Sequence, residues 1–584
     1  MFGKIIEVNK SYAIIKLSVR IDKDLLNYHV VFEDDNKRIL GEIDEINETT
    51  MKVVLLGEFT DRGFLSGVIR RPSMAANTRL INNDELAVIA NVKDPQGLEL
   101  GKSPLYINYP IKVNINDFFS NHSAIFGNTG SGKTFGVARI LQNVFKLNNP
   151  IAYNSSFVIF NNYSEYDEAF KDIGKYNPNF HYKKYSSSAD SLGEYRIQLP
   201  LWLLDIDDYA NILDVYEYGQ IAIIEKALTY VTLFASKDTN ANQVKNHLIA
   251  KAIISIMYTN QTSSRIRDEI FNLLKDCNTE QLNLNAVIPG VGYTRGFREC
   301  FNLNDKGEFL ERNLITEYIE NLIIKDYEYS ENYVPCFFTL KDFEVALNFA
   351  LISEGLLLND ETYSEAMALK VKLHKIRMSN YGSYFEANEF IDLNKFIESV
   401  ITVPKGKAQI INITLDDIDD RFAKTLVKVY SRLFFRYSKG LEERASRPIH
   451  LVLEEAHRYV QEDNDMEILG YNIFDRIAKE GRKYGLILDL ITQRPTELNS
   501  TTISQCTNFI VFKINHPEDL EYIRKMVPNV SADIIEKQKT LQSGTCVAFG
   551  RMMQIPMIVK LDLPDPVPRS SNCDVYGRWM VNIK

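Results

Sequence analysis

The sequence predicts an α/β fold: a domain of alternating strands and helices with a small β-barrel ahead of it and a mostly helical subdomain inserted into it. Three observations carry this prediction. Residues 1 to about 70 break into short alternating runs, GKIIEV, YAIIKLSV, YHVVFE, RILGEIDEI, MKVVLLGEF and GFLSGVI, separated by turn residues at small-barrel spacing. A strand, a glycine-rich loop and a helix follow one another from Ser123. The alternation of strands and helices stops near Asp167 and resumes with AQIINI after residue 400.

Length and composition are compatible with this architecture. The chain has 584 residues, 45% hydrophobic and 25% charged, which suits a soluble protein of about three or four domains. No apolar run reaches the ~18 residues of a spanning helix, and the start, MFGKIIEVNK, lacks the basic head and apolar middle of a signal peptide. A cytoplasmic location away from membranes is the expectation. The six cysteines form no CxxC pair, which argues against a zinc site or a disulfide framework. A net charge of −10 excludes a chain coated in basic surface, yet leaves room for a local basic channel, especially one repeated around a ring.

Element by element, residues 1–100 are expected to hold the barrel and a connector. Gly3, Gly41, Gly57 and Gly67 fall where its strands bend or end. Residues 71–122 read as that connector, with a helix around Asp84 to Ala90 and polar turns at DPQG and GKSP. Residues 101–166 form the first part of the α/β domain: SAIF as a strand, TFGVARILQNVF at helical spacing, and SSFVIF as a second strand. Residues 167–400 form the insertion, rich in Asn, Tyr and Lys, with helices such as QIAIIEKALTYVTLF, VKNHLIAKAIISIMY and EAMALKVKLHKIR. Residues 401–550 complete the domain through AQIINI, IHLVL, LILDLI, FIVFKI and TCVAF. Residues 551–584 contribute the strand IPMIVKL and an extended, proline-rich tail.

The loop GNTGSGKT matches G-x-x-x-x-G-K-[ST] through Gly127, Asn128, Thr129, Gly130, Ser131, Gly132, Lys133 and Thr134. Its glycines let successive backbone N–H groups turn toward phosphate oxygens, and the following helix adds the positive end of its dipole. Lys133 is placed to reach the β- and γ-phosphates of ATP, and the Thr134 hydroxyl to ligate Mg²⁺. A flexible Gly-Ser loop would not require the strand before it and the helix after it.

Hydrolysis also needs an acid near the metal and a base for water. IHLVLEEAH supplies adjacent carboxylates at a strand end, with Glu454 assigned to Mg²⁺, directly or through water, and Glu455 to the attacking water. Gln493, at the tip of LILDLITQ, is placed to sense the γ-phosphate. Lys479, Arg482 and Lys483 form either a solvated helix end or an arginine finger for a neighbouring subunit's nucleotide. Arg482 is the preferred finger, with Arg476 and Arg494 as alternatives.

The order barrel, GNTGSGKT, helical insertion, LEEAHRY, EGRKYG, ITQRP, SQCTNFIVFKI resembles the HerA family, the hexameric DNA-translocating ATPases of the HerA–FtsK group, with a RecA-like P-loop domain. The likeness spans nearly the whole chain outside the insertion. Three departures stand out. The family commonly has Asp-Glu where this chain has Glu454-Glu455; a form like DPHGEY is replaced by NNYSEY, Asn161 to Tyr166; and Asn121 stands where a basic residue often precedes the loop strand.

The resemblance implies a homohexamer with ATP between subunits and double-stranded DNA in a central channel, Lys405 and Lys407 being the nearest channel candidates. It also implies a C-terminal tail (Pro564, Pro566, Pro568) that braces the next subunit. A partner would bind the barrel face: a NurA-type nuclease in DNA repair, or a sirtuin-like NAD-degrading protein or nuclease in anti-phage defence. The insertion and the altered second-strand motif favour the defence type. A scaffold ring that switches a partner enzyme is the alternative, and a conjugative or secretion coupling ATPase a third.

Overall fold

The computed structural model describes residues 2–18, 24–34, 37–61, 63–92, 94–187, 194–215, 217–236, 239–290, 292–325, 335–353, 360–463, 465–526, 537–569 and 574–580. Two compact units divide the chain. The first comprises Met1–Tyr195, Ile397–Asp463 and Tyr471–Lys584, and the second Arg196–Phe396 with Asn464–Gly470.

The first unit opens with seven antiparallel strands: β1 (Gly3–Val8), β2 (Tyr12–Leu17), β3 (His29–Asp34), β4 (Lys37–Ile46), β5 (Thr50–Thr60), β6 (Gly63–Ser66) and β7 (Asn77–Leu80). They pair in the order β1-β2-β5-β4-β3-β7, with β6 on β5. Alternate apolar residues point to one face, where Ile5, Ala13, Ile15, Val30, Phe32, Ile39, Ile43, Met51 and Val53 form a single core. Strand β4 bends at a register shift beside Gly41, where a Cβ would lie 2.5 Å from Val53.

The expected connector is not one. Strand β7 belongs to this first sheet, and the helix Asn83–Ile89 is closed by a capping box between Asn82 and Glu85. Strands β8 (Gly97–Ser103) and β9 (Tyr109–Asn114) join the second sheet, so most of GKSP is strand and not turn. The alternation in GLELGKS and YPIKVN carries that signal, and Leu98, Leu100, Ile111 and Val113 are buried.

The second sheet has twelve strands. Besides β8 and β9 it contains β10 (Ser123–Phe126), β11 (Phe157–Asn161), β12 (Tyr182–Ser186) and β13 (Glu194–Arg196). Its later members come after the insertion, which holds the hairpin β14 (Val287–Gly290) and β15 (Tyr293–Gly296), and after the small hairpin β16 (Thr402–Val403) and β17 (Gly406–Lys407). They are β18 (Ile410–Thr414), β19 (Ile449–Glu454), β20 (Leu486–Thr492), β21 (Asn508–Phe512), β22 (Thr545–Gly550) and β23 (Met557–Lys560). The order is β13-β12-β18-β11-β19-β20-β10-β21-β22-β23-β8-β9.

Strands β12, β18, β11, β19, β20, β10 and β21 run parallel, and β22, β23, β8 and β9 continue antiparallel. The parallel strands are nearly continuous apolar runs because both faces are covered. Strand β20 stands between the loop strand β10 and the acidic strand β19. That order brings the tips of β10, β19 and β20 together at the carboxyl edge.

The helical unit starts at Arg196, not 167. The described residues of 167–195 stay with the sheet, where Tyr182–Ser186 pairs in parallel with β18. Within this unit the helix Tyr218–Ala235 buries Ile223, Ile224, Ala227 and Val231 on one face. It meets Leu340–Ser353 through Tyr230 and Phe349, whose rings stand edge-to-face at 4.9 Å. Trp202 Nε1 donates to the Ile391 carbonyl at 2.7 Å, tying the unit's start to its end. No helix among the described residues is long and apolar enough to cross a membrane.

The proline-rich tail lies on its own chain. Gln142, buried on the helix Lys133–Phe145, accepts from Asp565 N and donates to the Pro566 carbonyl, both at 2.8 Å. Arg139 donates to the Leu563 carbonyl at 3.2 Å, Tyr176 to the Asp565 carbonyl at 2.6 Å, and Arg569 N to the Glu165 carbonyl at 2.8 Å. Over residues 561–569 the tail is a strap on this subunit's own phosphate-loop helix. Sequence could not show this, because the holding groups are mostly backbone carbonyls.

Candidate active site

Strand β10 delivers the glycine loop between the tips of its two neighbours. Gly127 N donates to the Thr492 carbonyl at 3.3 Å, and Asn128 N to the Lys513 carbonyl at 3.0 Å. Gly130 and Gly132 have φ of 76° and 98°, the left-handed region that side chains disfavour. Gly132 precedes the helix Lys133–Phe145 with no side-chain cap, so the first-turn N–H groups face the loop's concavity. Ser131 Oγ is buried there without a hydrogen-bond partner among the described residues.

Lys133 is only 6% exposed, and its Nζ lies 3.5 Å from Glu455 Oε1. Strand β19 ends at Glu454, and Glu455 turns with φ 51° and ψ 48°. Consecutive strand residues would face opposite ways. The left-handed turn instead lets the second carboxylate reach the lysine, at a backbone cost of about 1 kcal/mol or more. Strain of this kind at a non-glycine residue marks a position the surrounding fold enforces.

Glu454 is 2% exposed, and its Oε2 accepts from the Tyr166 hydroxyl at 2.7 Å. Burial, opposed by the Lys133 charge and reinforced by Glu455, pushes its carboxyl up to about 7. Asn162 Nδ2 donates to the Glu454 carbonyl at 3.2 Å, and the Tyr459 hydroxyl donates to Asn162 Oδ1. His457 Nδ1 stands 2.9 Å from Thr492 Oγ1 and 3.3 Å from Glu455 Oε2. Burial holds this imidazole below its ordinary range, against the opposing pull of the Glu455 charge.

Gln493 extends from the tip of β20, and its Oε1 accepts from Thr129 Oγ1 at 2.6 Å, linking that tip to the loop. The loop, Lys133, Glu454, Glu455 and Gln493 therefore converge. Arg482 does not join them. It is exposed beyond the amino edge of β20 and donates to Asn121 Oδ1 at 2.7 Å, on the far side of the sheet from its own loop. Arg494 pairs with Glu497 at 2.6 Å, and Arg476 lies over the rings of Tyr471 and Phe435. Lys407 donates to Asn154 at the amino edge of β18, and that hairpin, with Lys405, is likewise remote from the loop.

Three contributors had no clear sequence signal. Ser543 Oγ donates to the Gly130 carbonyl at 3.0 Å and Gly544 N to the Ser131 carbonyl at 2.9 Å, so the turn before β22 buttresses the loop. A Cβ on Gly132 would lie 2.8 Å from Gly544 N, which shows how close the two turns stand. Tyr166 orients Glu454, and the Glu-Tyr pair retained in NNYSEY was its only trace. His457, inside the quoted LEEAHRY, bridges the acidic turn to Thr492.

A glycine loop closing on a buried lysine, faced by a strand-end carboxylate pair across one intervening strand, defines a P-loop ATPase. The comparisons narrow this class. Residues 98–288 match the family described as "Helicase HerA, central domain". The DNA double-strand break repair helicase HerA of Sulfolobus acidocaldarius is 23% identical over 98% of this chain and 94% of its own. That of Saccharolobus solfataricus is 32% identical over 30% of this chain, and the matched stretch spans only 35% of that protein. That of Pyrococcus furiosus is 22% identical over 80% of this chain and 69% of its own. The solved VirB4 of Thermoanaerobacter pseudethanolicus aligns over 80% of this chain and 97% of its own, with a TM-score of 0.43 and 15% identity. The chain is thus similar to the HerA helicases, through the central-domain match over residues 98–288 and through a relative aligned over nearly its whole length.

Proposed function

We propose that the protein is an ATP-driven motor that moves double-stranded DNA through a homohexameric ring. The observation that carries the reading is the buried Lys133, held against Glu455 at the mouth of the loop. A γ-phosphate arriving there would take the ammonium and free the carboxylate to accept a proton from water. Gln493, now latched to Thr129, is placed to follow that phosphate and pass its presence along β20.

The residues fit Mg²⁺. Glu454 is a buried carboxyl whose charge Lys133 and the Tyr166 hydroxyl offset in part, and Thr134 lies in the first turn of the helix next to the lysine. These two would hold the cation, which would neutralise charge on the β- and γ-phosphates.

Charge distribution supports placing DNA on the sheet-bearing body and not on the insertion. Residues 196–396 hold 19 Lys and Arg against 29 Asp and Glu, which leaves 48 of each in the rest of the chain. A neutral body repeated six times can present a basic channel, whereas the insertion repels phosphate. Arg482 acts in trans in this reading, because the fold keeps it from its own nucleotide. The relatives named as repair helicases support DNA as substrate.

We assign the partner to a nuclease or a sirtuin-like NAD-degrading effector at the N-terminal sheet, in a cytoplasmic anti-phage role suggested by the long acidic insertion. End resection with a NurA-type nuclease is the alternative.

The test is ATP turnover with and without duplex DNA. Turnover should rise with DNA and vanish in Lys133→Ala. Turnover indifferent to DNA would replace the motor with an ATP-dependent scaffold ring.

A further inference from the structure

We infer that Asn121 is a positioning residue that aims Arg482 at a second copy's nucleotide while leaving the arginine its full charge. The inference rests on the proposed trans action of Arg482. It concerns how this chain holds that side chain.

Asn121 is 2% exposed, and its orientation is fixed. Its Nδ2 donates to the Asp117 carbonyl at 2.9 Å and to Ser120 Oγ at 3.2 Å, so Oδ1 is the face turned to Arg482 Nη1, 2.7 Å away. The next residue, His122, anchors this mount to both neighbouring strands. Its Nδ1 accepts from Leu488 N at 2.9 Å and its carbonyl from Thr507 N at 3.1 Å.

Arg482 is held as firmly from its own side. It sits on the turn Gly481–Tyr484, where a Cβ on Gly481 would lie 2.5 Å from the Leu486 carbonyl. The turn is pressed onto β20 at Gly481, and the Arg482 side chain projects outward beside the exposed Lys483.

The chemistry of the acceptor is the informative part. Arg447, Arg458 and Arg494 each meet a carboxylate, in Glu398, Asp420 and Glu497. A carboxylate fixes a guanidinium but cancels its charge locally. Arg482 is instead fixed by a neutral amide, and among the described residues no carboxylate pairs with it. An exposed arginine that is both oriented and uncompensated suits a developing anion on another molecule. Arg476, spread over two rings, and Arg494, neutralised by Glu497, lack that combination.

The experiment measures kcat and KM for ATP, and thermal midpoints, in Arg482→Ala, Asn121→Ala, Asn121→Asp and both Asn121 changes combined with Arg482→Ala. Arg482→Ala should lower kcat by about 10³-fold or more. Asn121→Ala should lower it about tenfold, for loss of one hydrogen bond to a charged group, with KM unchanged. Asn121→Asp keeps the size and the bond but adds the cancelling charge, and should lower kcat at least as far without lowering the thermal midpoint. In the Arg482→Ala background neither Asn121 change should reduce kcat further. Full activity in Arg482→Ala would overturn the trans reading and this inference together. A loss in Arg482→Ala with normal Asn121→Asp turnover, or equal Asn121 losses in both backgrounds, would overturn the inference alone.

Discussion

Replacing Glu454 by Gln should stabilise the metal-free protein at alkaline pH, because the fold buries a carboxyl that resists losing its proton. The carboxyl titrates near 4.5 in an unfolded chain and at about 7 here, with burial as the main cause. Below 4.5 both states hold the proton and the difference costs nothing. Between 4.5 and 7 the native state holds more protons than the unfolded one, so stability falls as pH rises. Above 7 the deficit levels off. At 1.36 kcal/mol per pH unit it amounts to about 3 kcal/mol. Gln carries no such deficit and keeps an oxygen for the Tyr166 hydroxyl. In chelator-treated protein, the midpoint of Glu454→Gln should therefore exceed wild type at pH 8 and match it at pH 4.5. Adding Mg²⁺ with ADP at pH 8 should raise wild type more than the variant, since only wild type gains a charged ligand for the cation. Identical pH profiles for the two proteins would refute the buried-carboxyl argument, and an equal response to Mg²⁺ would remove Glu454 from the metal site.

Three further outcomes follow from the same geometry. Gly132→Ala forces a side chain into φ 98° and against Gly544 N, so nucleotide affinity should drop at least tenfold by fluorescent-nucleotide titration. Gln142→Ala leaves the Asp565 N–H and the Pro566 carbonyl without their side-chain partner, at about 1–3 kcal/mol, and limited proteolysis should then cut within residues 561–569 faster than in wild type. Gln493→Ala frees Thr129 from its 2.6 Å bond, so DNA stimulation of ATP turnover should shrink more than basal turnover does.

What was legible in the sequence were the local patterns. SAIF-GNTGSGKT and IHLVLEEAH are contiguous, and period and composition locate both strand ends and the chemistry they bear. Gln493 was legible for the same reason, as the last residue of an apolar run. The less visible features are those that depend on distant chain segments meeting. Ser543 and Gly544 lie some 400 residues from the loop they support, and nothing in LQSGTC signals it. Strands β8 and β9 read as connector because each is half polar, lying at the antiparallel end of the sheet where β9 forms the edge. Strand β12, YKKYS, carries two lysines inside a sheet. Lys183 is tolerated there because it donates to the Ser399 and Thr402 carbonyls, a long-range compensation that local patterning cannot show. Arg482 was the preferred finger from its charge, but only the fold shows that it cannot serve its own subunit's loop.

The central claim is that the loop Gly127–Thr134 and Glu455 form one ATP-cleaving site. Single-turnover hydrolysis and equilibrium binding of ATP by Glu455→Gln test it most directly, because Gln keeps the size of Glu455 and removes only its basicity. ATP bound with near wild-type affinity and left uncleaved is the predicted result. A variant that cleaves ATP at the wild-type rate would contradict the claim.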